Sequence, residues 1–195
     1  LSGVYTAGLS IKHMGKIEVI AFGGGCFLCT EATFSILKGV IAVSPGYAGG
    51  TKSNPIYEEV VSGTTGHAEV TRVEYDPQQI SFRDLLTVYF ASHDPTTPNR
   101  QGSDVGTQYR SIILYTTESQ KNEAERFIKE INASHSEGNP VVTELKPLDT
   151  FYVAEESHRD YYRKNPTQPY CELVINPKLQ KVKEEFAKLL KDNEK

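Results

Sequence analysis

Three cysteines, a handful of carboxylates and a set of tyrosines are the side chains through which this 195-residue chain could act on a substrate. Cys26 follows Gly23-Gly24-Gly25 and precedes Phe27. A sulfur placed where a glycine turn leaves a strand and a helix begins lies near free backbone N–H groups and the positive end of the helix dipole. That setting favours the thiolate. A free thiol with a pKa of ~8.5 is only about 3% ionised at pH 7, and a fall to ~6.5 raises the fraction to roughly 75%. A buried structural cysteine is the competing reading. Cys29 completes Cys26-Phe27-Leu28-Cys29, the spacing of a thiol–disulfide exchanger or of half a zinc site. A zinc site wants a second ligand pair, and no other CxxC or close histidine pair occurs, so no metal is expected. Cys171 lies in Tyr170-Cys171-Glu172-Leu173, a predicted strand whose alternation does not say whether the thiol faces core or cleft.

The acid–base candidates fall in three places. Gly66-His67-Ala68-Glu69 opens a strand with a carboxylate between apolar residues, where desolvation would raise its pKa and suit it to donate a proton. An exposed strand carboxylate is the alternative. Asp104 sits in a glycine-bearing loop, five residues before Tyr109, where an Asx-turn is the plain reading. Tyr57 and Tyr109 could donate hydrogen bonds to an oxygen, but eleven tyrosines make amphipathic packing a strong competitor for any one of them. His67, His93 and His158 lack metal-site spacing and read as structural hydrogen-bonders.

The elements that must hold these groups follow from periodicity. Ile17–Phe22 reads as a buried strand, and Glu31, Phe34, Ile36 and Leu37 as a short helix closed by Gly39. Val40–Val43 is a second strand running into a loop over Ser44–Pro55, and His67–Tyr75 a third strand ended by Asp76-Pro77. Ser81 caps a helix whose apolar positions Phe82, Leu85, Leu86, Tyr89 and Phe90 recur at helical spacing. Ser92–Gln108 is long and polar without repetitive bias, which favours an ordered binding loop. Tyr109–Tyr115 and Val141–Leu145 are predicted strands, Glu118–Ser134 a helix, Ser157–Lys164 a short helix, Tyr170–Ile175 a strand, and a charged helix starts at Leu179. This order points to an α/β (α+β) two-layer sandwich with a mixed β-sheet, a ferredoxin-like elaboration.

Composition narrows the class. A net charge of -4 leaves no footprint for nucleic acid or an anionic membrane. No run approaches the ~18–20 apolar residues of a membrane span. Three cysteines are too few and odd in number for a secreted disulfide scaffold, so a reducing, cytoplasmic setting is expected. A monomer is also expected. Residues 1–13 read as an appended or disordered N-terminal segment, with Met14 as the native start and 14–195 as a single catalytic domain.

Several long stretches resemble the A-class peptide-methionine (S)-S-oxide reductases. They are Gly24-Gly25-Cys26-Phe27, Gly46-Tyr47-Ala48-Gly49-Gly50, Tyr57-Glu58, Ser62-Gly63 and Gly66-His67-Ala68-Glu69-Val70, followed by His93-Asp94-Pro95-Thr96, the run Asn99–Ser111, and Phe151–Glu156 with His158. Several long matches in the right order, from about Ile17 to Pro177, are far more specific than one short pattern. The resemblance implies that Cys26 attacks the sulfoxide sulfur and is left as a sulfenic acid. Glu69 would protonate the departing oxygen, Tyr57 and Tyr109 would hold it, and Asp104 would support the site by hydrogen bonding. Phe27 and Leu28 would line the pocket for the substrate methyl group. Cys171 would close a disulfide with Cys26, with Cys29 as the alternative, since i and i+3 on a helix are neighbours. No cofactor would be needed beyond an external thiol, thioredoxin in the cell or dithiothreitol in the tube.

The family usually carries tryptophan where this chain has Leu28, so a looser methyl pocket is expected. Losing a contact worth about one CH2 weakens binding by ~0.8 kcal/mol, roughly fourfold. Two rival readings remain at this point. A thioredoxin-type oxidoreductase explains the CxxC but gives Glu69 and residues 99–111 nothing to do. A non-catalytic binder of oxidised methionine would follow if Leu28 had degraded the pocket.

Overall fold

The first apolar run does pair as expected, and the sheet it starts explains how the cysteines and carboxylates meet. The computed structural model describes residues 15–135 and 137–195; the N-terminal segment expected over 1–13, with Met14, lies outside them. Along the chain come β1 (Glu18–Gly23), α1 (Phe27–Ser35), β2 (Val40–Ala48), α2 (Tyr57–Val61), β3 (Ala68–Tyr75) and α3 (Phe82–Ala91). A small hairpin of β4 (Arg100–Gln101) and β5 (Asp104–Val105) follows, then β6 (Ile112–Tyr115), α4 (Glu118–Ser134), β7 (Glu144–Pro147), β8 (Phe151–Val153), α5 (Tyr161–Lys164) and α6 (Asn176–Glu185).

The main sheet has the order β7-β6-β1-β3-β2-β8, parallel between β6 and β7 and antiparallel elsewhere. Its four central strands, with α1 and α3 as crossovers, form the expected ferredoxin-like core of a mixed two-layer sandwich. The helix-covered face carries Ile20, Phe22, Val73 and Tyr75, which meet Phe34, Leu37, Leu85, Leu86 and Tyr89. Phe22 stacks between Phe34 and Tyr89, with ring centroids 5.0 and 4.7 Å away. Truncating so buried a ring costs ~3–5 kcal/mol. The opposite face is lined by small residues, Ala21, Ala48, Ala68 and Val70, under Leu148 and Phe151. Local signals hold at the helix starts: the Asp84 N–H donates to the Ser81 hydroxyl at 3.0 Å, and Thr117 and Gln120 form a reciprocal capping box.

Four local expectations give way to tertiary pairing. The stretch read as a loop from Ser44 is strand as far as Ala48, because β3 and β8 both pair with it and set Tyr47 opposite Glu69 and Tyr152. Tyr109 does not begin a strand; Thr107–Tyr109 is a 3-10 turn and pairing starts at Ile112. The helix read over Ser157–Lys164 is split at Asp160, whose left-handed backbone (φ 54°) separates a 3-10 turn from α5. The strand read over Tyr170–Ile175 is a π-helical turn, Cys171–Ile175, leading into α6. Its β-branched run has a strand-like composition, but the segment adds to neither edge strand, β7 or β8, and Cys171 and Ile175 bury against the core instead. The polar segment before Gln108 is ordered as the β4–β5 hairpin. Among the described residues no helix is long and apolar enough to cross a membrane.

Candidate active site

The glycine turn between β1 and α1 is shaped by what presses on it. Gly25 takes a left-handed φ of 92°, and a Cβ there would meet Gln101 at 2.8 Å. At Gly23 a Cβ would lie 2.9 Å from the Glu69 carbonyl oxygen and 2.7 Å from Ile112. Larger residues would therefore push the turn off the two strands that hold it. The Gly25 N–H also donates to the Tyr109 carbonyl at 3.2 Å, tying the turn to the polar segment.

Cys26 occupies the N-cap of α1, and its side chain makes no cap hydrogen bond. The cap comes from another strand: the Phe27 N–H donates to the Glu69 carboxylate at 3.1 Å. Register explains the reach, since Glu69 is paired with Tyr47 and shares the helix-covered face with Thr71, which donates to the Phe27 carbonyl at 3.4 Å. Two influences on Glu69 oppose each other. Burial and the negative Asp104 raise its pKa, while the Phe27 N–H lowers it. Burial wins at 2% exposure, and the carboxyl is pushed up to about 7. Glu69 thus holds a proton over much of the neutral range, as an acid needs.

Tyr57 and Tyr109 flank this carboxyl. Burial, then the charges of Glu69 and neighbouring groups, raise both phenols, Tyr109 to about 12, so both remain hydrogen-bond donors. Asp104, on β5, lies within electrostatic reach of Glu69, Tyr57 and Tyr109. The five residues expected to carry chemistry, Cys26, Tyr57, Glu69, Asp104 and Tyr109, therefore converge at the N-terminal end of α1 although they are spread over 84 positions of the chain.

The thiols divide differently from expectation. The helix N-terminus was expected to favour a Cys26 thiolate. Instead the neighbouring Cys29 thiol, burial and the nearby Glu69 charge push Cys26 well up. Cys29 is pushed down to about 6 by the neighbouring Cys26 thiol together with Lys178 and Tyr170, against burial. The surroundings of Cys29, with Lys178 and Tyr170 beside it, thus favour a charge there more than those of Cys26 do. Cys171 is fully buried, and burial, then the Cys29 charge, raise its thiol.

Several residues that sequence reasoning left out are part of the same architecture. The Tyr47 hydroxyl donates to Glu155 at 2.6 Å, and the other oxygen of that carboxylate accepts the Tyr57 N–H at 2.8 Å, fixing the start of α2. His158 lies against both Phe27 and Tyr57, at ring-centroid distances of 5.6 and 4.7 Å. Arg110 donates to the Thr107 and Gly66 carbonyls, each at 2.8 Å, joining the Tyr109 turn to the approach of β3. All of them lie in or beside the matching stretches; what was missing was a reason to choose them over their neighbours. His67 and His93 are hydrogen-bonded scaffolding. His67 bonds the Gly50 N–H and the Lys52 carbonyl, while His93, which burial pushes down to about 4, bridges Tyr89 and Ser111 beside Gly24.

Residues 18–190 match the family described as Peptide methionine sulfoxide reductase. The chain belongs to that family. It is 55% identical over 170 residues to the peptide methionine sulfoxide reductase MsrA of Sulfolobus acidocaldarius, covering 87% of this chain and 96% of the relative. Its structure is similar to methionine sulfoxide reductase A of Corynebacterium diphtheriae, with a TM-score of 0.73, 37% identity, and coverage of 78% of this chain and 76% of that one. It also resembles Mxr1 from Saccharomyces cerevisiae in complex with Trx2, with a TM-score of 0.52, 26% identity, and coverage of 73% and 84%. As a member of this family the chain is an oxidoreductase that reduces methionine sulfoxide. Both rival readings fall with that membership.

Proposed function

We propose that the chain reduces methionine S-sulfoxide, free or within proteins, by thiol chemistry centred on Cys26. The observation that carries this reading is the Glu69 carboxyl, buried and pushed up to about 7, seated on the Phe27 N–H one residue from the Cys26 sulfur. Tyr57 and Tyr109 donate to the sulfoxide oxygen, and the nearby Asp104 helps Glu69 hold its proton. Cys26 attacks the sulfoxide sulfur as its proton passes to Cys29 and Glu69 gives its proton to the oxygen. The S–O bond of the adduct then breaks, the hydroxyl passes to Cys26, and the electron pair of the broken S–S bond stays on the substrate sulfur. The net step is Cys26–SH plus R–S(O)–CH3 giving Cys26–S–OH plus R–S–CH3. The substrate sulfur gains two electrons and Cys26 loses them.

Closure then follows: Cys26–S–OH plus Cys29–SH gives the Cys26–Cys29 disulfide and water. The resemblance assigned this step to Cys171. The proposal gives it to Cys29, because Cys29 sits against Cys26 in the first turn of α1 whereas Cys171 is enclosed in the core. A thioredoxin-like dithiol then reduces the disulfide, a reading supported by the complex of Mxr1 with Trx2. Phe27, Leu28, Tyr57 and His158 surround the place for the methyl group.

A single turnover with methionine S-sulfoxide and no reductant tests the scheme. The expected result is one methionine per enzyme, two thiols lost and a Cys26–Cys29 bond by mass spectrometry. A Cys26–Cys171 bond would return the closing step to Cys171, and no methionine at all would overturn the proposal. Tyr57→Phe and Tyr109→Phe should each lower kcat by about a hundredfold, the usual loss for one donor to a developing oxyanion.

A further inference from the structure

The C-terminal segment brings two groups to the Cys29 sulfur that the reaction as written does not use. The Tyr170 hydroxyl lies 3.7 Å from Cys29 Sγ and favours the charged form of both that thiol and Cys26. Lys178, in the first turn of α6, is near enough for its positive charge to favour the charged form of the Cys29 sulfur. Both side chains are half-buried, so the charge and the hydroxyl act through a partly desolvated path. The other ionisable groups around Cys29 are the Cys26 thiol at the start of α1, Glu69 on β3 and Cys171 beneath it. Glu69 opposes a charge on Cys29, and Lys178 is the cation of the set. Tyr170 is the N-cap of the π-helical turn Cys171–Ile175, and Lys178 lies in α6, which continues from that turn.

We propose that Lys178 and Tyr170 are positioning residues for disulfide closure, holding the Cys29 sulfur as an anion aimed at Cys26. This rests on the reading of Cys29 as the resolving thiol. Once the sulfenic acid has formed, Cys29 gives up its proton to solvent and its thiolate attacks the Cys26 sulfur. The S–S bond forms, the S–O bond breaks, and the departing hydroxide takes a proton from solvent and leaves as water. The thiolate is the attacking species, so stabilising it in the resting range speeds closure. The electrons of the new bond come from Cys29, and no further oxidant is required.

The test follows one turnover of the whole chain by quenched flow, measuring methionine release and disulfide closure together, with dimedone present to trap the sulfenic acid. At pH 5, below the Cys29 pKa of about 6, the ratio of closure to release in Lys178→Met should fall about tenfold, the effect of one pKa unit on the anion, and dimedone-labelled Cys26 should accumulate. Lys178→Arg should restore most of the ratio, and Tyr170→Phe should lower it about threefold, the loss of one weak hydrogen bond. A charge-dependent pattern of this kind is one that mere loss of packing would not give. An unchanged ratio in both Lys178→Met and Tyr170→Phe would overturn the inference. A Cys26–Cys171 bond in the parent enzyme would overturn the underlying assignment instead, so mass spectrometry of the same samples separates the two failures.

Discussion

Two carboxylates are buried against helix α1 at nearly the same depth, Glu69 at 2% and Glu31 at 6% exposure, and burial pushes both upward. What faces them differs. Glu69 comes from a strand, caps the open end of the helix and has Cys26, Tyr57, Asp104 and Tyr109 around it. Glu31 belongs to the helix itself and accepts the Asp160 N–H at 2.8 Å, where the chain turns through its left-handed residue. It lines a cavity of about 1010 Å3 behind α1, together with Asp160, Glu172 and Lys183. The same desolvation thus serves as proton storage at one end of the helix and as a staple for the 156–164 segment on its back. Burial alone does not identify a catalytic acid; a reacting atom beside it does.

That contrast is sharpest at Glu69. Glu69→Gln should lower kcat by 10²–10⁴-fold, the usual loss for a general acid. It should also remove the limb on which parent activity falls as pH rises through about 7, the range in which Glu69 loses its proton. The same substitution should stabilise the fold at high pH. A carboxyl raised from 4.5 to about 7 on folding contributes stability that is fully present below pH 4.5 and lost as pH rises through 7. A neutral glutamine escapes that loss, by up to ~3 kcal/mol at pH 8, which thermal melting of both proteins across pH would show. Equal activity limbs in parent and variant would mean that Glu69 is not the acid.

Glu31→Ala is the counterpart. It should cost ~1–3 kcal/mol by leaving the Asp160 N–H without its acceptor, read as a lower Tm, with kcat within a factor of about two. Should Glu31→Ala cripple turnover as Glu69→Gln does, the division between the two ends of α1 collapses. The smallest effect is expected at Leu28, which packs beside Phe27 at the mouth. Leu28→Trp should lower KM about fourfold, the ~0.8 kcal/mol of one further CH2-equivalent contact, and an unchanged KM would show that residue 28 does not touch the substrate.

Much of the site was legible because its parts are local. The glycine turn, the cysteine after it and the apolar neighbours of Glu69 are features of a few consecutive residues, and helix starts such as Ser81 are set by short-range hydrogen bonds. Less legible was anything that depended on which elements became neighbours. The strand reading of Tyr170–Ile175 followed its composition; burial of Cys171 and Ile175 in the core, a tertiary contact, made it helical instead. Tyr47 looked like loop because glycine and proline surround it, and only pairing with β3 and β8 made it the anchor for Glu155 and, through it, Tyr57.

The sequence by itself determined the chemistry available: a nucleophilic sulfur at a helix start, a carboxyl among apolar residues, tyrosines to hold an oxygen, and long matching stretches that name the reaction. Tertiary structure alone decided how charge is shared. The charge on the Cys26–Cys29 pair answers first to each thiol's nearness to the other, then to a lysine about 150 residues away, a tyrosine at the head of a π-helical turn and a glutamate on a neighbouring strand. Electrostatic energies vary with separation and with the water excluded between groups, and neither quantity is written along the chain.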